Sequence, residues 1–206
     1  MKSIYSENDI GIIEDVFPSF ICPQIIQQIE YLQENNILRS RKELENAPEC
    51  MKEDFSLCMH RRDMDNKLGF LFDENNNEVR FSSVIDMIHK AFRLYSDTAL
   101  YEDIAALNLW IPQIKLQKTM PGGGYHIWHH EKGYGFNVAR YVVFMVYLNT
   151  LEPESAGETE FIRQELRITP KENSIVFWPA TYTHPHRGNP VYGDKPKYVL
   201  TGWFFI

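Results

Sequence analysis

Two spacings of apolar residues divide the chain. Between Pro18 and Asn35, Ile25, Ile26, Ile29 and Leu32 recur at the interval of one helix face, with Ser19 placed to cap its start. A second helix is predicted from Ser83 to about Thr98, where Val84, Ile85, Ile88, Ala91, Phe92 and Tyr95 form a face to bury and Ser82 or Ser83 stands at the cap. Leu38 to Asn66 is polar and charged without a clear period, so it reads as a long loop with short helical turns or as a mobile flap. The run Asp73-Glu-Asn-Asn-Asn77 marks a turn between two short apolar stretches.

After Asn108 the pattern shifts to short β-rich runs: Ile111–Lys118, Tyr125–His130, Arg140–Leu148, Glu158–Arg163, Ser174–Trp178 and Tyr198–Ile206. Gly122-Gly-Gly124, Glu152 to Gly157 and Asn189-Pro190 punctuate them. Helices followed by many short strands predict an α+β fold, mainly β, in which a sheet sandwich or barrel carries helices packed outside. No internal repeat or linker interrupts this order. Residues 1–206 therefore read as a single domain, with 1–107 a helical support and 108–206 the β core.

Composition narrows the class. At 206 residues, 44% hydrophobic and 14% aromatic, the chain is sized for one packed core. A net charge of −7 argues against a nucleic-acid partner, whose backbone needs a basic face, but leaves room for a local basic pocket holding a small anion. No run approaches the roughly 20 apolar residues of a membrane span, and Met1 to Asp9 lacks the apolar centre of a signal peptide. Cys22, Cys50 and Cys58 are odd in number and not in metal-site spacing, which points to a reducing, cytoplasmic setting.

Histidines carry the sharpest signal. Five of the seven fall in two clusters, His126, His129 and His130, then His184 and His186, both at ends of predicted strands. His129 and Glu131 are two apart, so on an extended segment both project to one side and can reach one ion. A third ligand from a distant strand would complete the two-histidine, one-carboxylate facial set that leaves positions open on iron(II). His126 has no acid two residues on, and the isolated His60 and His89 read as packing residues.

Around these residues the chain resembles the prolyl 4-hydroxylase-like branch of the iron(II)- and 2-oxoglutarate-dependent dioxygenases. Leu116-Gln117 and Gly122-Gly-Gly-Tyr125 precede His129 as the family's Gln, Gly and Tyr precede its metal motif. Arg140 to Asn149 is similar to the strand that follows, and Gly157-Glu-Thr159-Glu-Phe161 to the family's Gly-Glu-Thr-x-Phe. Ile168-Thr-Pro170, Ser174-Ile-Val-Phe177, His186-Arg-Gly-Asn-Pro190-Val191 and Lys197-Tyr198 through Trp203 continue the match in order, over about residues 110 to 206.

The resemblance implies a double-stranded β-helix (jelly roll) core with N-terminal helices outside. It implies Fe(2+), 2-oxoglutarate and O2 as cofactor and cosubstrates, with hydroxylation of an unactivated C–H bond in a peptide or small-molecule substrate. It makes His129, Glu131 and His186 the metal ligands, His186 being preferred to His184 because Pro190 and Val191 follow it at the family's spacing. Lys197 falls where the family pairs the distal carboxylate of 2-oxoglutarate, with Lys195 as competitor, and Thr159 at the cosubstrate-binding threonine. Trp203 is expected to line the cavity, and Arg140 and Arg187 to lie near its mouth or on the sheet.

Three departures stand out: Glu131 replaces the usual Asp, Tyr125 lies four residues before His129 rather than three, and Met120 or Pro121 stands near the place of an upstream tyrosine. Retention of an acid argues against a halogenase. The rival readings are a metal-binding jelly roll, such as an isomerase or sensor, that has no use for Lys197 or Thr159, and a non-enzymatic β-sandwich interaction module.

Overall fold

The longest apolar runs of the chain form the middle of a sheet buried on both faces. The computed structural model describes residues 1–40, 43, 48, 51–68, 70–98 and 107–206. Its strands are β1 (Lys2–Glu7), β2 (Ile10–Glu14), β3 (Arg39–Ser40), β4 (Phe55–His60), β5 (Phe70–Phe72), β6 (Glu78–Arg80), β7 (Gln113–Thr119), β8 (Tyr125–His129), β9 (Arg140–Tyr147), β10 (Thr159–Phe161), β11 (Leu166–Ile168), β12 (Ser174–Pro179), β13 (His186–Gly188) and β14 (Lys197–Phe205). The α-helices whose bounds fall within the described residues are α1 (Ile21–Glu34), α2 (Met64–Leu68) and α3 (Phe81–Thr98).

Eight strands make the major sheet, in the order β1-β2-β12-β9-β14-β7-β4-β3, and four make the minor sheet, β11-β10-β13-β8. The antiparallel pairing of β9 with β12 and β14 sets Val142, Phe144 and Val146 on one face and Val143 and Tyr147 on the other. The first face packs with Phe177, Leu200 and Phe204 against α1 and α3. There Phe92 stacks on Phe204 at 4.1 Å and Tyr95 on Phe177 at 5.2 Å. The second face packs Tyr147, Val176, Trp178 and Val199 toward Phe161 and Ile168 of the minor sheet. Two apolar faces explain why these strands read as continuous rather than alternating runs. The result is the jelly roll with helices outside.

The division expected at residue 107 is too simple. The N-terminal part supplies β1 and β2 at one end of the major sheet and β3 and β4 at the other, so it does more than lend helices. Leu38 to Asn66, expected as a loop or flap, contains β3, β4 and the start of α2; residues 41, 42, 44–47, 49 and 50 lie outside the described ones. These strands escaped notice because β4 is flanked by charge and β3 spans two residues.

The caps also differ from expectation. Phe20, not Ser19, occupies the N-cap of α1, and no side chain bonds there. Helix α3 begins at Phe81, so Ser82 and Ser83 lie inside it, and Asp65 accepts the Ser82 backbone N–H at 2.9 Å. The Asp73 turn forms as expected, its carboxylate accepting the N–H groups of Asn75 and Asn77. His89 packs edge-on to Phe204 at 5.2 Å, a packing histidine.

Gly202 lies opposite Phe144, and a Cβ there would collide with the Phe144 ring. Gly202→Ala is expected to lower stability by about 1–3 kcal/mol through overpacking. Adding Phe144→Leu should restore part of the loss, measured by urea denaturation of the single and double variants.

Candidate active site

Strand register brings the two histidine clusters together. In the antiparallel pair β8–β13, His186 lies directly opposite His129, their ring centroids 4.4 Å apart. Glu131 follows β8 by two residues, and its backbone N–H bonds Ala180 O at the end of β12, as does that of Lys132. Glu131 Oε1 thereby lies 3.4 Å from His129 Nε2 and 3.6 Å from His186 Nε2. The three ligand atoms all fall within 4.8 Å of one another.

Backbone carbonyls set the tautomers. His129 Nδ1 donates to Ile127 O at 3.1 Å and His186 Nδ1 to His184 O at 3.0 Å. A carbonyl only accepts, so each proton sits on Nδ1 and each Nε2 lone pair faces Glu131. Burial disfavours the imidazolium of His129 and outweighs the nearby carboxylate, holding its pKa below the usual histidine value. Burial opposes the charge of Glu131, but Arg140 and Trp203 Nε1 donate to its carboxylate at 2.9 and 3.1 Å and keep it ionised. Neutral imidazoles and an ionised carboxylate are the forms that bind a divalent cation.

The other carboxylate oxygen is held from behind. Glu131 Oε2 accepts from Arg140 at 2.9 Å and from Trp203 Nε1 at 3.1 Å. The Arg140 guanidinium lies 3.6 Å over the Trp203 ring and also donates to Glu131 O. Arg140 was expected near the mouth or sheet; it begins β9 of the major sheet and there braces the carboxylate. Arg187 donates to Glu160 at 2.9 Å and lies over Trp128.

His184 is engaged elsewhere. Its Nε2 donates to Asn8 O at 2.8 Å and its Nδ1 accepts from Thr183 at 2.9 Å, so neither nitrogen faces Glu131. His126 and His130 stay outside the three-residue group.

A cavity of about 480 Å3 opens between the sheets beside these residues. Lys197 lines it and donates to Gly157 O at 2.6 Å. Gly157 has φ +73°, and a Cβ there would press on Leu151, which fits the glycine of its motif. Burial pulls the Lys197 ammonium down to about 8, with Glu158 opposing and Lys52 adding to the fall. Lys195 is exposed. Thr159 lines the cavity as well, its Oγ1 accepting from Tyr147 OH at 2.7 Å.

Sequence reasoning passed over Lys52 and Asp54, which also line the cavity and pair at 3.1 Å. Burial raises Asp54, but Lys52, Lys115 and Gln117 outweigh it and hold the carboxyl below its usual value. Charged residues inside an aperiodic stretch looked solvated; the tight spacing Lys52-x-Asp54 just ahead of β4 was the available signal.

Residues 114–205 match the sequence profile of the 2OG-Fe(II) oxygenase superfamily. Residues 114–205 are thus similar throughout to the 2-oxoglutarate- and iron(II)-dependent oxygenases, a family whose cofactors are Fe(2+), 2-oxoglutarate and O2. The chain's architecture is that of the prolyl hydroxylases. A Pseudomonas putida prolyl-4-hydroxylase superposes with a TM-score of 0.69 at 15% identity, over 97% of this chain and 94% of that one. A prolyl hydroxylase from Trichoplax adhaerens, in complex with a hypoxia inducible factor oxygen degradation domain peptide fragment, gives 0.68 at 16% identity, over 97% of this chain and 84% of that one. The viral collagen prolyl hydroxylase of Paramecium Bursaria Chlorella virus-1, as its 2OG complex, gives 0.61 at 16% identity, over 96% of each chain. No curated protein sequence matches the chain. Among the described residues no helix is long and apolar enough to cross a membrane.

The two histidines of the second cluster should separate in experiment. His184→Ala is expected to cost about 1–3 kcal/mol of stability, because it removes a buried side chain together with both its hydrogen bonds, with iron(II) stoichiometry retained. His186→Ala should abolish stoichiometric iron(II) binding, read by anaerobic metal titration alongside urea denaturation.

Proposed function

We propose that residues 1–206 form one catalytic unit that hydroxylates an unactivated C–H bond, with iron(II) held by His129, Glu131 and His186. The carrying observation is the pair of opposed imidazoles with Nδ1 protons committed to carbonyls and Nε2 lone pairs turned to one carboxylate oxygen. That donor set suits a non-haem iron(II) centre with open positions. The bound metal and 2-oxoglutarate together supply the oxidising chemistry, in which a C–H bond, O2 and 2-oxoglutarate become C–OH, succinate and carbon dioxide.

The chain's residues do the placing. Lys197, a buried cation at the cavity wall, pairs with the distal carboxylate of 2-oxoglutarate, and Thr159 offers a hydroxyl beside it. Arg140 and Trp203 keep Glu131 oriented. Trp178, Val199 and Trp203 give the cavity an apolar wall beside these polar groups. Glu131 in place of Asp is accommodated because its loop is tied to Ala180 rather than continuing β8.

For the substrate we favour a prolyl or other residue of a peptide, with a small molecule as the second choice. The peptide bound by the Trichoplax adhaerens enzyme and the two other prolyl hydroxylases of the same fold support it. The buried Lys197 and Thr159 disfavour a metal-binding jelly roll without 2-oxoglutarate chemistry, which has no use for either. A reducing cytoplasm, which keeps iron ferrous, is the compartment we assign.

Anaerobic addition of iron(II) and 2-oxoglutarate should produce the weak visible charge-transfer band in wild type and none in His129→Ala. Metal binding without that band overturns the reading.

The ammonium of Lys197 is the form that pairs with the dianion, and its pKa in the free pocket is about 8. Below that pH the charge is in place; above it, binding must take up a proton. Apparent affinity for 2-oxoglutarate is therefore expected to fall about tenfold per pH unit above that value. Lys197→Met should weaken binding roughly a hundredfold at neutral pH and remove this slope, both read by titrating the band.

A further inference from the structure

Several buried polar atoms have no hydrogen-bond partner among the described residues, and three of them belong to side chains lining the cavity: Arg140 Nε, Trp178 Nε1 and Asp54 Oδ1. The first two are donors, which an acceptor such as a dicarboxylate can complement. The third is an acceptor. 2-Oxoglutarate is ionised at neutral pH and has no proton to donate, so it cannot complement Asp54.

Asp54 is held so that its free oxygen has no other outlet. Its side chain is 1% exposed, and Oδ2 takes Lys52 Nζ at 3.1 Å and Gln117 Nε2 at 2.7 Å. Gln117 cannot flip to serve it differently, because its Oε1 already accepts from Thr201 at 3.0 Å. Lys52 is fixed from the other sheet: its backbone bridges Tyr125, and Nζ lies 4.5 Å from the centre of that ring. Tyr125 in turn stacks on His129 at 3.7 Å. Asp54 is thus linked to the candidate metal centre through Lys52 and Tyr125, and it lines the same cavity. An ionised oxygen is left unpaired inside a protein at a considerable cost, which a functional ligand can remove.

We propose that Asp54 is a specificity-determining residue whose Oδ1 accepts a hydrogen bond from a donor group of the primary substrate. The inference rests on the oxygenase reading, since the lack of any donor on the cosubstrate assigns Oδ1 to the substrate. Lys52 and Gln117 are positioning residues for it. The substrate therefore carries an N–H or O–H group, amide, ammonium or hydroxyl, within the cavity.

Ring-matched fragments test this on the anaerobic iron(II)–2-oxoglutarate protein by calorimetric titration. Pyrrolidine offers an ammonium, 2-pyrrolidone an amide N–H, cyclopentanol a hydroxyl, and cyclopentanone no donor. Wild type should bind at least one donor fragment tenfold or more tightly than cyclopentanone, and which one identifies the donor. In Asp54→Asn the carbonyl oxygen faces Gln117 and Lys52, and an NH2 donor replaces the free acceptor. Its preference for donors should fall at least tenfold.

If Asp54→Asn does not fold, Asp54→Glu keeps the pair with Lys52, displaces the acceptor by one methylene and should lose the preference likewise. The wild-type titration decides by itself in one direction: no donor preferred over cyclopentanone overturns the proposal, as does a preference that survives in the variants. Absence of the charge-transfer band in wild type would instead overturn the oxygenase reading, so the two failures are distinguishable.

Discussion

The site depends on one constraint: two imidazoles on neighbouring antiparallel strands must each donate an Nδ1–H hydrogen bond to the backbone. His129 and His186 do so to carbonyls two residues earlier in the chain, at 3.1 and 3.0 Å. The same local geometry on both strands turns both Nε2 atoms to one point. A slip of one residue between β8 and β13 would send one ring to the opposite face. The neighbours of β13 secure the register: β10 pairs with it on the other side, opposing Phe161 to His186.

Glu131 completes the arrangement by other means. It lies beyond the end of β8, so no ladder holds it; Ala180 O fixes its backbone, and Arg140 and Trp203 fix the oxygen turned away from the imidazoles. Each brace comes from the major sheet. Both sheets therefore contribute to one centre, and the apolar layer between them, with Phe161, Trp178 and Val199, keeps them at working distance. Burial also shifts the cavity's charged groups, depressing the Lys197 ammonium to about 8 and opposing the charge of Asp54, which Lys52, Lys115 and Gln117 restore.

The charge inside the cavity contrasts with the whole chain. A protein of net charge −7 lines this one space with Lys52, Lys115, Arg140, Arg187 and Lys197 against Asp54 and Glu131. Such a concentration of cations suits a dianionic cosubstrate and stays invisible in composition. It arises because Lys115 of β7 and Lys197 of β14 face the cavity from neighbouring strands, while Lys52, Arg140 of β9 and Arg187 of β13 reach it from other parts of the fold.

Local pattern alone determined a good deal. Apolar spacing marked α1 and α3 to within a few residues, six of the strands, and a mainly β sandwich or barrel with helices outside, since these depend on periodicities carried by the residues themselves; the jelly roll was what the family resemblance implied. The clustering of the histidines and the His129–Glu131 spacing were legible locally, while the choice of His186 and the motifs around Gly157, Thr159 and Lys197 were legible through the family resemblance. Tertiary structure decided the rest. It separated His184 from His186 by what each nitrogen meets, with Asn8 lying 176 residues from His184 in sequence. It turned Arg140 into a brace, recruited β1–β4 to the ends of a sheet that their own sequences scarcely announce, and buried Lys52 and Asp54 in the cavity wall. All of these depend on which distant strands become neighbours, and pairing between remote segments leaves no period in the chain to read.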